Sequence, residues 1–181
     1  WGRTGENFWG YQAHGIVPDM MTFAKGVGNG LALGGVVGRA EVMEAMPANS
    51  ISTFGGNPIA SAGALATINY MLEHDTQKNS KEMGERLAKG ISKAVSDSSV
   101  IAETRGRGLM RAIETVIPDS IEPNAPAAGQ LMEATRAAGL LIGKGGLYGN
   151  VIRIAPPMTV TADEIDEGIA ILNEAIKDLD N

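Results

Sequence analysis

Pro18-Asp19-Met20-Met21-Thr22-Phe23-Ala24-Lys25-Gly26-Val27-Gly28-Asn29-Gly30 sets an apolar run, a lysine and a glycine-rich loop in immediate succession. Residues 20–24 follow a Pro-Asp turn signal and read as a short buried strand. A second such run, 34–38, lies just beyond the glycines. Lys25 is the only lysine before Lys78. In a dry pocket the ammonium form is disfavoured, and a neutral amine can form a Schiff base with an aldehyde. Glycines beside it would let a flat ring approach the backbone. The competing reading is a strand-end lysine reaching out to water.

Working outward, residues 39–46 read as a short helix. Thr53-Phe54-Gly55-Gly56-Asn57-Pro58 leads a hydroxyl and a glycine turn into a helix start. Asn suits the N-cap and Pro the first helical position. Free N–H groups and the helix dipole favour phosphate there, although a plain capping turn has the same sequence. Small and apolar residues over 60–72 predict a mostly buried helix.

Residues 73–80 are polar throughout, and a domain boundary is expected there, dividing the chain into 1–74 and 75–181. Met83, Leu87, Ile91 and Val95 recur at helical spacing and predict an amphipathic helix over 81–95. Strands are expected at 100–103 and 109–116, flanking Arg105-Gly106-Arg107-Gly108, with a helix over 126–138 and further strands at 140–142 and 151–154. Thr161-Ala162-Asp163-Glu164 is a capping box. The helix that it opens carries Ile165, Ile169, Leu172, Ile176 and Leu179 on one face. Alternating helices and short strands predict a small α+β domain. Strand alternation puts Arg153 and Val151 on one face, ahead of Pro156-Pro157. A guanidinium there could hold a carboxylate through two parallel hydrogen bonds, or could simply be solvated on an edge strand.

Composition narrows the function classes. The formal net charge of −6 and the absence of basic blocks argue against nucleic acid and anionic membrane surfaces. No apolar run reaches the length of about 18 residues that a spanning helix needs. Cysteine is absent, which excludes disulfides and thiolate metal sites and allows a reducing compartment; a cytoplasmic protein is expected, with organellar targeting left open because the chain does not begin with Met. His14 and His74 are far apart and outside zinc spacing, so no metal site is expected. The chain opens on Trp1-Gly2-Arg3-Thr4-Gly5 rather than Met, which suggests a fragment lacking its upstream half. The 24 glycines cluster at 26–35, 55–56 and 143–149, each beside an apolar segment, which suggests loops that cradle a ligand. No dinucleotide fingerprint, P-loop or nucleophile elbow is complete. Arg105, Arg107 and Arg111 form a basic group of the kind that usually serves as a solvated face or as ion partners between strands.

Together these segments resemble the class III aminotransferases of fold type I. Trp1-Gly2-Arg3-Thr4-Gly5 is similar to the end of that family's G-x-G-R-T-G run. Residues 18–26 are similar to its P-D-x-x-T-x-x-K-G segment, and residues 52–58 to its T-[FY]-G-G-N-P loop. Arg105-Gly106-Arg107-Gly108-Leu109-Met110 and Val151-Ile152-Arg153-Ile154-Ala155-Pro156-Pro157 match its C-terminal domain. The five motifs occur in order along essentially the whole chain. Within the family, the Thr53 loop and Gly106-Arg107-Gly108-Leu109-Met110 are most similar in wording to the alanine–glyoxylate aminotransferase 2 branch and its bacterial relatives.

The resemblance implies an α/β fold: the C-terminal part of the large, cofactor-binding domain, followed by a small α+β domain. It implies pyridoxal 5'-phosphate on Lys25, with the freed Lys25 amine moving a proton between substrate and cofactor. It implies contact of Thr53 with the cofactor phosphate of the neighbouring subunit, and hence a homodimer with its active site at the interface. Arg153 would bind the substrate carboxylate. The reaction would pass an amino group from an amino acid or ω-amino acid to a 2-oxo acid or glyoxylate. The family's pyridine-binding Asp, its other phosphate loop and its stacking aromatic would all precede Trp1. Two alternatives stay open: a phospho-lyase acting on an amino-alcohol phosphate, and a catalytically incomplete fragment. Ethanolamine-phosphate lyases of the family carry Lys in the Arg153 strand, so Arg153 favours transamination.

Overall fold

A computed structural model describes residues 1–180 and divides them into two compact units. The first comprises Trp1 and Asn7–Thr76; the second comprises Gly2–Glu6 and the chain from Gln77 on.

In the first unit, β1 (Met20–Ala24) and β2 (Gly34–Gly38) form an antiparallel pair with Phe23 opposite Gly35. Gly35 is required there: an added Cβ would fall 2.5 Å from Phe23 Cζ. The Phe23 ring meets Trp1 edge-on at 5.5 Å, and Trp1 also stacks obliquely on Trp9 at 4.7 Å. At the open end of the pair, Arg39 donates its backbone N–H to Asp19 and forms an ion pair with its side chain. A 3-10 turn, Lys25–Gly28, leaves β1 directly, and α1 (Ala40–Met43) follows β2. Helix α2 (Pro58–Glu73) starts where Asn57 Oδ1 accepts the Ala60 N–H at 2.9 Å, and it packs on the 3-10 turn. Two sequence expectations are corrected here. α2 buries only Ala60 and Ala64 and leaves Ile59 74% exposed, and Met20 of β1 is 53% exposed. Two strands and one turn are too little surface to cover a helix of 16 residues.

The second unit is a four-stranded antiparallel sheet in the order β3-β4-β6-β5. Its strands are β3 (Ile101–Arg107), β4 (Met110–Thr115), β5 (Gly143–Gly145) and β6 (Val151–Ile154). Helices α3 (Thr76–Asp97), α4 (Ala125–Ala137) and α5 (Ala162–Leu179) contribute Leu87, Ile91, Leu131, Leu172 and Ile176 to one core with Ile113 and Ile152 of the central strands. The α5 capping box is formed: Glu164 N–H reaches Thr161 Oγ1, and Thr161 N–H reaches the Glu164 carboxylate. Gly2–Glu6 is tied to the same unit. Arg3 donates to the Pro156 carbonyl at 2.6 Å, and the Leu109 N–H donates to the Arg3 carbonyl at 3.0 Å. Burial lowers the Arg3 pKa. The strand expected at 140–142 lies instead at Gly143–Gly145, and Leu141 is 82% exposed. Arg105 and Arg107 fall inside β3 rather than in a loop. Among the described residues, no helix is long and apolar enough to cross a membrane, and no group of three or more His, Asp or Glu side chains could hold a metal ion.

Candidate active site

Lys25 takes the left-handed region, φ 56°, which costs a non-glycine residue about 1–2 kcal/mol. That conformation turns the chain from β1 straight into the 3-10 turn, whose Val27 and Gly28 are buried. Asn29, at φ 45°, closes the turn. The dry pocket expected around Lys25 is not formed by the described residues: Lys25 is exposed, and a Cβ added at Gly26 would meet nothing within 4 Å. Two strands with glycines at the turn supply few side chains to wall it in.

Thr53 lies in the turn before α2, held by Gly55 N–H to Ser52 O at 3.1 Å and by Asn57 Nδ2 to Phe54 O at 2.9 Å. It is exposed, and its hydroxyl has no hydrogen-bond partner among the described residues. The loops carrying Lys25 and Thr53 belong to the same unit; the first packs on α2 and the second leads into its first turn.

Arg153 belongs to the second unit, on the sheet face opposite the helices. Strand registers place Arg105, Ala112, Arg153 and Gly143 in one row across that face, and Glu103, Glu114, Val151 and Gly145 in the next. Arg105 forms ion pairs with Glu103 and Glu114, and Asn150 Nδ2 donates to Glu114 at 3.2 Å. The Arg105 guanidinium and the Asn150 amide hold the Glu114 carboxyl below the usual range, while the hydrogen bonds that Arg105 donates to Glu114 and Glu103 raise its own pKa. Arg107 pairs with Glu6, and Arg111 donates to the carbonyls of Gly108 and Gly106. The basic group at 105–111 is therefore structural. Arg153 differs from it. Of the eight arginines, it alone has no hydrogen bond or ion pair among the described residues. An exposed, unpaired guanidinium with fixed backbone is free to take an incoming carboxylate. Sequence reasoning missed the Arg105–Glu114–Asn150 network. Its signal is strand register and a bond between residues 36 positions apart, which no local pattern carries.

The family model for aminotransferase class-III matches residues 1–176. The chain belongs to the class III aminotransferases. It is 40% identical over 166 residues to an Arabidopsis thaliana mitochondrial protein named alanine–glyoxylate aminotransferase 2 homolog 2, covering 91% of this chain and 35% of the relative. It is 39% identical over 179 residues to 5-aminovalerate aminotransferase of Pseudomonas putida, covering 98% of this chain and 42% of the relative. The chain thus spans about two fifths of the length of the curated relatives that it matches. Among solved structures, a phospholyase from Arthrobacter in complex with phosphoethanolamine superposes with TM-score 0.91 at 31% identity, covering 97% of this chain and 42% of that one. A Bacillus anthracis aminotransferase superposes with TM-score 0.89 at 29% identity, covering 98% and 42%. Class III aminotransferases depend on pyridoxal phosphate, and the residues present here fit that group. Lys25 is exposed beside Gly26, whose side-chain position is open, and Thr53, exposed and without a hydroxyl partner among the described residues, lies in the turn that leads into a helix of 16 residues.

Proposed function

We propose that the complete protein containing this chain is a pyridoxal-phosphate-dependent aminotransferase, moving an amino group from an amino acid or ω-amino acid to a 2-oxo acid or glyoxylate. In this reading, residues 1–74 are the end of the large cofactor-binding domain and residues 75–181 the small domain. Lys25 carries the cofactor, and Thr53 donates to the phosphate held by the neighbouring subunit of a homodimer. The bound cofactor supplies an aldehyde that condenses with amines and a ring that accepts electron density from the substrate α-carbon. Every other task falls to side chains. With its amine free, Lys25 Nζ would take the proton from the substrate α-carbon as a general base and hold it for return as a general acid. Its place in a turn anchored by buried Val27 and Gly28 gives the amine a fixed origin. Arg153 receives the substrate carboxylate on its planar fork and so orients the α-carbon.

The observation that carries this reading is Arg153, which has no partner among the described residues on a face where the neighbouring charges are paired. The test is turnover by the complete protein, with amino acid donors and glyoxylate, pyruvate or 2-oxoglutarate as acceptors. A second reading, phosphate elimination from an amino-alcohol phosphate, draws support from the likeness to the Arthrobacter phospholyase. Release of inorganic phosphate from phosphoethanolamine, without amino transfer to any oxo acid, would favour it.

A further inference from the structure

Arg153 has two places to lie. Its diagonal neighbour across β4 is Glu114, which is paired in register with Val151. Diagonal neighbours on one sheet face are about 7–8 Å apart, within reach of a long side chain. Its diagonal neighbour across β5 is Gly145, also paired with Val151 but on the other side. The side chain takes the second course: a Cβ built on Gly145 would lie 3.0 Å from Arg153 Cδ and 3.7 Å from Cγ. The arginine stem therefore runs over a backbone stripped of side chain, and its guanidinium stays clear of the acidic pair. Gly143, directly opposite Arg153, is different. A Cβ there would meet only the Arg153 carbonyl at 3.7 Å and its Cβ at 3.9 Å, both ordinary contacts. Glycine inside a strand weakens it and often marks a close approach by something else. At 145 the approaching group is the Arg153 stem.

We infer that Gly145 is a positioning residue: its bare backbone draws Arg153 across β5, away from Glu114, and keeps the guanidinium available to a substrate carboxylate. The inference rests on the reading of Arg153 as the carboxylate-binding group. Arg105 supports the arrangement from the other side by occupying Glu103 and Glu114. A side chain at 145 would have to share space with Cδ. Alanine would displace the stem by a few tenths of an ångström, near the tolerance of about 0.5 Å for a binding group. A β-branched residue would exceed it and turn the arginine toward Glu114.

The test uses the complete holoenzyme and whichever of glyoxylate, pyruvate and 2-oxoglutarate it turns over fastest, with KM and kcat measured separately. Gly143→Ala is the control, because it makes the same chemical change in the same strand without the contact. Expected results are a KM unchanged in Gly143→Ala, raised several-fold in Gly145→Ala and raised about tenfold or more in Gly145→Val, with kcat at saturating acceptor within about twofold throughout. Such a split marks lost binding rather than lost chemistry. Adding Glu114→Gln to Gly145→Val should recover part of the KM loss, because it removes the competing carboxylate. Gly145→Val behaving like Gly143→Ala would overturn the inference, as would a KM loss that Glu114→Gln leaves unrelieved. Arg153→Lys is run beside them. If it leaves KM for the oxo acid unchanged, the Arg153 reading itself fails; if it raises KM while Gly145→Val does not, only the role of Gly145 fails.

Discussion

Arg153→Lys separates a ligand-binding arginine from one that supports its strand, and the structure sets the size of each effect. The stem contact over Gly145 involves Cγ and Cδ, which lysine retains. The guanidinium has no partner among the described residues, so the change leaves no protein acceptor unsatisfied. The expected stability cost is that of a neutral surface substitution, within about 0.5 kcal/mol. Binding is another matter. Lysine presents a point charge where two parallel hydrogen bonds are wanted, and truncating one partner of a hydrogen-bonded charge pair costs about 2–5 kcal/mol. At one decade per roughly 1.4 kcal/mol, kcat/KM for carboxylate substrates should fall about 30-fold or more. The assay is steady-state turnover by the complete protein with an amino acid donor and with an amine lacking the carboxylate, alongside thermal melting. Retained cofactor absorbance, an unchanged melting temperature and a loss confined to the carboxylate substrate are expected. Equal losses on both substrates would refute the reasoning and make Arg153 a structural residue.

Three further outcomes follow from the same geometry. Lys25→Ala should abolish amino transfer while leaving the fold intact, and borohydride reduction of the parent holoenzyme followed by peptide mapping should place the pyridoxyl label on Lys25; a label on Lys144 would contradict the assignment. Thr53→Ala should weaken cofactor retention by about 1.5–3 kcal/mol, the scale of a hydrogen bond to a charged group and tenfold or more in affinity, as read by dialysis against apoenzyme; unchanged retention would remove Thr53 from the site. Acid should destabilise the second unit through carboxyls held below their usual range: Glu114 by Arg105, Asp166 by Arg86, and Glu164 by the Thr161 N–H. Depressed folded-state values mean that this contribution is complete above the unfolded values near pH 4 and is lost as pH falls through the folded ones. The melting temperature should therefore drop below about pH 4, and by less in Glu114→Gln; the same drop in both would show that the Arg105–Glu114 pair plays no part.

Features governed by short-range chemistry were legible in the sequence alone. The Asn57 cap with Pro58 and the Thr161–Glu164 box depend on atoms within one helical turn, and both are in place. The 3.6-residue spacing of Leu87, Ile91 and Val95 marked the face that α3 buries, because burial of a helix stripe follows its own period. Five ordered motifs pointed to the family and, through it, to Lys25, Thr53 and Arg153. What pairing decides was out of reach. β5 is a glycine strand, Gly143–Gly145, that no β-propensity favours; it exists because Val151–Ile154 offers it an edge, and the apolar run before it stays outside the ladder. Gly2–Glu6 joins the second unit through Arg3, across more than 100 residues of chain. The exposure of α2 and of Lys25 depends on how much surface the neighbouring elements present, a quantity without local signature. The freedom of Arg153 likewise arises only when four strands bring Arg105, Glu114, Gly145 and Arg153 onto one face. The charge of an arginine is written in its residue type, but whether that charge is already spent on a neighbour is settled by strand register.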